Sequence, residues 1–318
     1  MSDIKNKHIS FIMPAYNCAD TVVESVESII QGNLEEGDEL IIVDDCSTDN
    51  TAQVLSHLKD KYPFIIVIRN AQNKGCPASR NVGIERASNT IIFNLDSDNI
   101  LVPGSIKQLK EFMISENADV AAFCELHYFQ KDKNKVTHKW ICRPGVLTLA
   151  DFLSGHINPG PAGNFMYTKE SWQRVGKYWE YGAGLNEAWG FSLKQIAMGS
   201  KFVVMLNTYY FHRYGHASLF VRESKKNENE SSLMATKMIS PFLNLIDERD
   251  AAYIMSEGGS KSWFDNLDKH PIKVKTGELG KTGKVVYLDS DKRSSESKKG
   301  KIRTKIIKTI GKVVAILR

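Results

Sequence analysis

The chain has 318 residues, of which 42% are hydrophobic and 25% are charged. This length corresponds to about two domains, and the composition is that of a globular protein rather than a disordered one. No run of about 18 apolar residues occurs, which argues against a membrane-spanning helix, and the stretch MSDIKNKHIS lacks the apolar core of a signal peptide. We therefore expect a cytoplasmic protein.

The net charge of +5 is unevenly distributed along the chain. Residues 291–318 contain ten Lys or Arg and two acidic residues, a local charge of +8, so the rest of the chain sums to −3. A mildly acidic body with a basic tail is not typical of a nucleic-acid-binding domain. The five cysteines lie far apart without a Cys-x-x-Cys spacing, which favours reduced thiols and argues against a zinc site.

Four short runs rich in β-forming residues alternate with helical patterns over the first third of the chain. They are HISFIM (8–13), ELIIV (39–43), FIIVI (64–68) and TIIFN (90–94). This alternation predicts an α/β fold in which a Rossmann-like, mostly parallel sheet is covered by helices on both faces. Ligands of such sheets bind in the crevice beyond the carboxyl ends of the strands.

Acidic and aromatic side chains follow three of these predicted strands. Tyr16 follows the first strand, Asp44 and Asp45 end the second, and Asp96 and Asp98 follow the fourth. Carboxylates at i and i+2 leave a strand on the same side, and carboxylate oxygens suit Mg²⁺ or Mn²⁺. An Asp-x-Asp pair can also simply form a turn. The second carboxylate pair at the same edge favours the metal interpretation.

Four sequence blocks, taken together, resemble a known family. They are PAYN (14–17), VDDCSTDNT (43–51), NKGCPASRNVGI (73–84) and FNLDSDN (93–99). In this order and spacing they resemble the inverting family 2 glycosyltransferases of the GT-A fold, of the type that builds bacterial polysaccharides and glycolipids. The resemblance implies transfer of a sugar from a nucleotide sugar, with a UDP-sugar as the expected donor, to a hydroxyl of a glycan or lipid-linked acceptor.

The resemblance also implies roles for individual residues. The expected donor-binding residues are Pro14, Tyr16, Asn17, Asp44, Asp45, Arg80 and Asp96. Tyr16 would lie against the base, Asp44 or Asp45 would bind uracil or ribose, and Asp96 would contact the ribose. Asp98 would bind Mn²⁺ or Mg²⁺ on the diphosphate. Each of these residues also has a purely structural interpretation in packing, turns or a helix surface.

The catalytic base is harder to assign from the sequence. The family's base is usually the Asp of a Glu-Asp pair before a helix, whereas this chain has Glu187 followed by Ala188. Glu187 is therefore the predicted base, with Glu180 as the alternative. Asp96 and either His212 or His216 are further candidate metal ligands, although a structural histidine is an equal reading.

The pattern and the resemblance divide the chain into three parts. Residues 1–220 would form the GT-A domain, with 1–105 as its nucleotide-binding half and 106–220 as its acceptor half. Residues 221–287 would form a helical extension, and residues 288–318 a basic amphipathic tail.

The tail has a helical stripe of apolar residues. The stripe consists of Ile302, Ile306, Ile310, Val313, Val314 and Leu317. With lysines around it, such a helix suits the surface of an anionic membrane, which would place the protein at the inner face of the membrane. The alternative is that the stripe packs on the catalytic body or on a second subunit of a homo-oligomer. The stretch 266–300, rich in Lys, Ser and Gly, is predicted to be loop.

Two other functions remain as alternatives. A nucleotidyltransferase can have a similar sheet and Asp pair, but it usually carries a Gly-rich basic loop where this chain has PAYN. A catalytically inactive GT-A-like binding or scaffold protein is the other alternative, because of Ala188. No local nucleophile motif is recognisable in the sequence, which argues against a hydrolase.

Overall fold

A computed structural model of the chain describes residues 8–155, 163–180, 185–215, 229–277 and 280–288. The strands are β1 (Ile9–Ala15), β2 (Glu39–Asp44), β3 (Ile66–Arg69), β4 (Ile91–Asn94), β5 (Val120–Phe129), β6 (His138–Ile141), β7 (Gly145–Val146), β8 (Met166–Thr168), β9 (Phe202–Arg213) and β10 (Lys284–Tyr287). The α-helices are α1 (Val22–Ile30), α2 (Thr51–Lys61), α3 (Cys76–Arg86), α4 (Ser105–Ser115), α5 (Leu149–Phe152), α6 (Lys169–Arg174), α7 (Glu187–Ala197), α8 (Glu230–Ile239), α9 (Glu248–Met255) and α10 (Glu257–Ser262).

The four strands predicted from the first third of the sequence form a parallel unit in the order β3-β2-β1-β4. Ala15 lies opposite Asp44, so β1 and β2 end together. Residues of β1, β2 and β4 are buried, which explains their continuous apolar runs. The predicted α/β class is confirmed, and the carboxyl ends of these strands share one edge.

The second half of the sheet is mixed rather than parallel. The antiparallel strand β8 connects β4 to the long strand β5, which also pairs with β6 and runs parallel to β9. Strand β10 adds antiparallel to β6 at the edge of the sheet. The prediction of loop over 266–300 was wrong for β10. A run of four residues gives no periodic signal, and β10 forms by pairing with β6, which is far away in the sequence.

Helix α2 begins after Asn50, whose side chain makes no capping hydrogen bond. Asp49 instead accepts a hydrogen bond from the Thr51 backbone at 2.9 Å.

Asn81 connects helix α3 to the segment that precedes α7. Its Oδ1 accepts hydrogen bonds from Trp172 Nε1 at 3.1 Å and from the Tyr178 backbone at 3.0 Å. Its Nδ2 donates to the Tyr178 carbonyl at 3.0 Å and to Glu180 at 2.7 Å. Because Asn81 is buried, these bonds fix the two halves of the crevice relative to each other.

Helix α8 and the aromatic residues Trp263 and Phe264 pack on α7. Gly190 of α7 lies against Met238 of α8, and a Cβ at this position would force the Met238 side chain to move. Trp189 packs against Trp263 and Phe264, with ring centroids 6.3 and 4.9 Å away. Among the described residues, none of the helices has the length and apolarity that crossing a membrane requires.

Candidate active site

The first strand ends in a partly exposed turn, and the second ends in two buried carboxylates. Pro14 lies inside β1 opposite Val43, and half-buried Tyr16 follows the end of the strand. Asn17 has a φ of 49°, and its Oδ1 accepts hydrogen bonds from the backbone of Thr48 at 2.8 Å and of Asp49 at 3.3 Å. Asn17 therefore holds the loop after β2 in place.

Asp44 and Asp45 are engaged by the chain itself. Asp44 accepts a hydrogen bond from the Ser47 backbone and pairs with Arg69 Nη1, both at 2.9 Å. Asp45 accepts hydrogen bonds from the backbone of Lys74 at 2.9 Å and of Gly75 at 2.7 Å, ahead of α3. Asp45 thus shapes the loop that leads into α3. A contact of Asp44 or Asp45 with a nucleotide sugar stays a prediction.

The centre of the site is Arg80, which bridges two carboxylates. Nη2 of Arg80 lies 2.7 Å from Oδ1 of Asp96, and Nη1 lies 2.5 Å from Oε1 of Glu187. The arginine comes from α3, Asp96 follows β4, and Glu187 begins α7. Three of the predicted site residues, distant in sequence, are thereby brought together.

Burial and charge act in opposite directions on the pKa values of the residues in this bridge. The Arg80 side chain is only 1% exposed. Burial alone would lower the pKa of Arg80, but neighbouring anionic groups, including Asp96 and Glu187, reverse this and raise it. Burial raises the pKa of Asp96 to about 6, and the Arg80 charge opposes that rise.

Two residues outside the predicted site set, Tyr178 and Gly163, lie against the bridge. The Tyr178 ring lies 5.5 Å from the Arg80 guanidinium carbon and stacks on Phe191 at 3.9 Å. A Cβ on Gly163 would lie 2.9 Å from Nη2 of Arg80 and 3.2 Å from Oδ2 of Asp96, so glycine leaves room for the pair. Gly163 belongs to the Gly- and Pro-rich run NPGPAGN (158–164) of the sequence. No sequence pattern pointed to Tyr178.

A hydrogen-bonded chain connects Asp96 to strand β9. The Asp96 backbone donates to Oδ1 of Asn164 at 2.7 Å, and Nδ2 of Asn164 donates to the Tyr210 hydroxyl at 3.1 Å. The Tyr210 hydroxyl lies 3.3 Å from Nδ1 of His212. The carboxyl edge of the parallel unit and the second half of the sheet therefore meet at this point.

The candidate metal ligands do not form a closed cage. Among the described residues, no group of three or more Asp, Glu, His or Cys is arranged to hold a metal ion. Asp96 uses Oδ1 for Arg80, while its Oδ2 has, within the described part of the chain, a long contact of 3.5 Å with Asn99. Asp98 and Oδ2 of Asp96 suit a Mg²⁺ or Mn²⁺ ion that takes its other ligands from substrate phosphates. His216 lies outside the described residues.

The two candidate bases differ in their surroundings. Glu180 is exposed, and its Oε1 accepts the hydrogen bond from Asn81. Glu187 follows Asn186, which has a φ of 56° and donates to the Ser231 carbonyl and hydroxyl at 3.0 and 2.9 Å. Helix α8 therefore fixes the start of α7, and only Glu187 shares Arg80 with Asp96.

A parallel sheet whose carboxyl edge gathers such acidic groups is characteristic of the GT-A class of α/β proteins. Residues 10–176 match Glycosyl transferase family 2, which is just over half of the chain. The chain belongs to this family. The family resemblance drawn from the four sequence blocks is confirmed.

Individual relatives match only part of the chain. The succinoglycan biosynthesis protein ExoO of Rhizobium meliloti is 30% identical over 171 residues, which is 52% of this chain and 47% of ExoO. The Escherichia coli UDP-Glc:alpha-D-GlcNAc-diphosphoundecaprenol beta-1,3-glucosyltransferase WfaP is 36% identical over 124 residues, 39% of this chain and 47% of WfaP. The chain thus spans about half the length of these curated relatives.

A solved structure has the same fold. The crystal structure of S. aureus TarS 1–349 in complex with UDP-GlcNAc superposes with a TM-score of 0.61, covering 79% of this chain and 71% of that one. At 18% sequence identity, this likeness supports the GT-A fold and leaves the choice of substrate to other evidence.

Replacing Gly163 by alanine should destabilise the protein more than the same change at Gly176. The two glycines have φ values of 85° and 75°, so both variants bear backbone strain of about 1–2 kcal/mol. Only at Gly163 would the new Cβ press on Arg80 and Asp96, since nothing lies within 4 Å of it at Gly176. We expect G163A to lose at least about 1 kcal/mol more than G176A in urea unfolding, because separating a buried ion pair is costly. Equal losses would contradict this view of Gly163.

Proposed function

We propose that the protein transfers a sugar from a UDP-sugar to a hydroxyl of a glycan or lipid-linked acceptor, with inversion at the anomeric carbon. The observation that carries the proposal is the Arg80 bridge between Asp96 and Glu187 at the carboxyl edge of the sheet. WfaP by its name uses UDP-Glc and a diphosphoundecaprenol-linked sugar, and the TarS structure contains UDP-GlcNAc. These relatives support the donor and acceptor classes.

The chemistry requires one base and one stabilised leaving group. Arg80 holds Oε1 of Glu187, so Oε2 is the oxygen that takes the proton from the acceptor hydroxyl. As the acceptor oxygen bonds to the anomeric carbon, the bond from that carbon to the phosphate oxygen breaks and the nucleoside diphosphate leaves. Attack opposite the leaving group in one displacement inverts the anomeric centre, and no covalent enzyme intermediate is needed.

A divalent cation fits the leaving-group side of the site. Asp98, with Oδ2 of Asp96, would hold Mn²⁺ or Mg²⁺ together with the diphosphate, and His212 is the further candidate ligand. When bound, the ion supplies positive charge next to the departing diphosphate. Arg80 keeps the Asp96 carboxylate oriented by holding its other oxygen.

Measurements of nucleotide-sugar binding and of UDP release distinguish the glycosyltransferase from the two alternative functions. Family membership favours a glycosyltransferase over a nucleotidyltransferase, whereas Ala188 keeps the inactive binding protein open. A thermal-shift screen of nucleotide sugars with Mn²⁺ tests the donor, because a bound ligand stabilises the folded state by mass action. Stabilisation by a UDP-sugar without any release of UDP would favour the binding protein, and no stabilisation by any nucleotide sugar would contradict the proposed donor.

Activity should require a divalent cation, and Asp98→Asn should abolish it in a protein that remains folded. The amide keeps the shape of the side chain but lacks the charge that attracts the ion. UDP release from UDP-sugars, with Mn²⁺ or with excess chelator, measures this requirement, and circular dichroism checks the fold. Full turnover in chelator would rule out the metal.

Glu187→Gln should retain donor binding and lose turnover by about 10²-fold or more, the size expected for a lost general base. Calorimetry with a UDP-sugar and Mn²⁺ measures binding, and UDP release measures turnover. Glu180→Gln is the matched control, because Glu180 is the alternative base but is exposed and bound to Asn81. Normal turnover in E187Q together with an inactive E180Q would transfer the role to Glu180.

A further part of the proposal is that the basic tail binds an anionic membrane surface. Residues 289–318 of this tail lie outside the described residues. We expect the full chain to sediment with phosphatidylglycerol vesicles, whereas a truncation after Ser297 does not, because basic residues near an anionic surface contribute about 1 kcal/mol each. Binding should weaken as salt rises. Equal sedimentation of the two proteins, or none by either, would make the tail a packing element of the body or of a dimer.

A further inference from the structure

Four aromatic side chains stand opposite one another on four neighbouring strands of the mixed half of the sheet. This aromatic row consists of Tyr287 on β10, His138 on β6, Tyr128 on β5 and His212 on β9, and each neighbouring pair lies in register. The successive ring centroids are 5.8, 4.4 and 4.6 Å apart. The row therefore forms a continuous line of rings across one face of the sheet.

The row is continuous with the candidate active site. Tyr210 precedes His212 by two positions on β9, and its hydroxyl is joined through Asn164 to the Asp96 backbone. On the other side, Trp140 lies 5.2 Å from Tyr128 between ring centroids. Because Tyr210 and Asn164 are fully buried, this chain of hydrogen bonds connects the inner end of the row to Asp96 through the interior of the protein.

The row offers polar groups as well as rings. The Thr137 hydroxyl donates its proton to the Tyr128 carbonyl at 3.1 Å, so it must accept from Nδ1 of His138 at 2.9 Å. This assigns the proton of His138 to Nδ1 and leaves Nε2 as an acceptor. Burial lowers the pKa of His138 to about 4, which keeps the imidazole neutral near pH 7.

Packing within the sheet explains the inner rings better than the outer one. Tyr128 is buried, and cross-strand aromatic pairs of this kind stabilise sheets. Tyr287, however, is 51% exposed at the end of the row, where burial contributes least. A half-exposed aromatic ring beside hydrogen-bonding groups is a common composition for a ligand site.

We propose that the exposed end of the aromatic row, Tyr287 with His138, binds a pyranose ring of a glycan acceptor. A pyranose presents a patch of C–H groups that packs on aromatic rings, and hydroxyls that pair with groups such as Nε2 of His138. A lipid chain would leave these polar groups unpaired, at a cost in free energy. This proposal rests on the proposed function, because a glycan acceptor is the substrate that would present such a ring.

The test is saturation-transfer NMR with the methyl glycosides of glucose and N-acetylglucosamine, with UDP and Mn²⁺ present to fill the donor site. We expect at least one glycoside to receive magnetisation from aromatic protons of the wild-type full chain. Tyr287→Ala should weaken its binding about fivefold, which corresponds to about 1 kcal/mol, whereas Tyr287→Phe should restore most of it. Tyr253→Ala, at a 37% exposed tyrosine on α9, is the matched control and should bind as wild type does.

Three outcomes would overturn the proposal. They are no signal from either glycoside, a signal that Tyr287→Ala leaves unchanged, and a signal only from dihexanoyl phosphatidylglycerol, which would assign the surface to lipid. Calorimetry with UDP-GlcNAc and Mn²⁺ on the same proteins, prepared without UDP, separates this result from the proposed function. Donor binding without a glycoside signal would reject the aromatic row alone, whereas no donor binding would reject the donor.

Discussion

The buried guanidinium of Arg80 is the interaction on which the rest of the site depends. A charge that is 1% exposed must be neutralised where it lies, and breaking such a pair typically costs about 3–5 kcal/mol. Asp96 and Glu187 provide the neutralising carboxylates from two different parts of the chain. The position of α3 relative to the end of β4 and the start of α7 is therefore set by electrostatics as well as by packing.

The helices beyond the family match contribute to this arrangement. Asn186 is held in a left-handed conformation by its bonds to Ser231 of α8, and Gly190 lets α7 approach Met238 closely. These contacts fix the first turn of α7, where Glu187 lies. Residues outside the matched range 10–176 thus determine the geometry of a carboxylate that the proposed chemistry requires, which gives the helical extension a role in the site.

The sequence predicted the parallel unit of the sheet well and its mixed half poorly. Strands β1, β2 and β4 are almost entirely buried and read as continuous apolar runs, so their pattern is local. Strands β6, β7, β8 and β10 have two to four residues each, and β7, β8 and β10 pair with strands far along the chain. Such segments carry no periodic signal of their own, and so β10, with Tyr287, was predicted as loop.

The sequence by itself determined the fold class, the family, and the identities of the acidic groups at the strand ends, because spacing along a strand fixes which side chains reach its carboxyl edge. It nominated Arg80 and Asp96 separately, and it left Glu187 and Glu180 as competing bases. Only the tertiary structure decided that one arginine joins Asp96 to Glu187 while Glu180 pairs with Asn81. The physical reason is that α7 is placed by its packing on α8 and by the need to neutralise a buried charge, and both constraints act between residues that no local pattern connects.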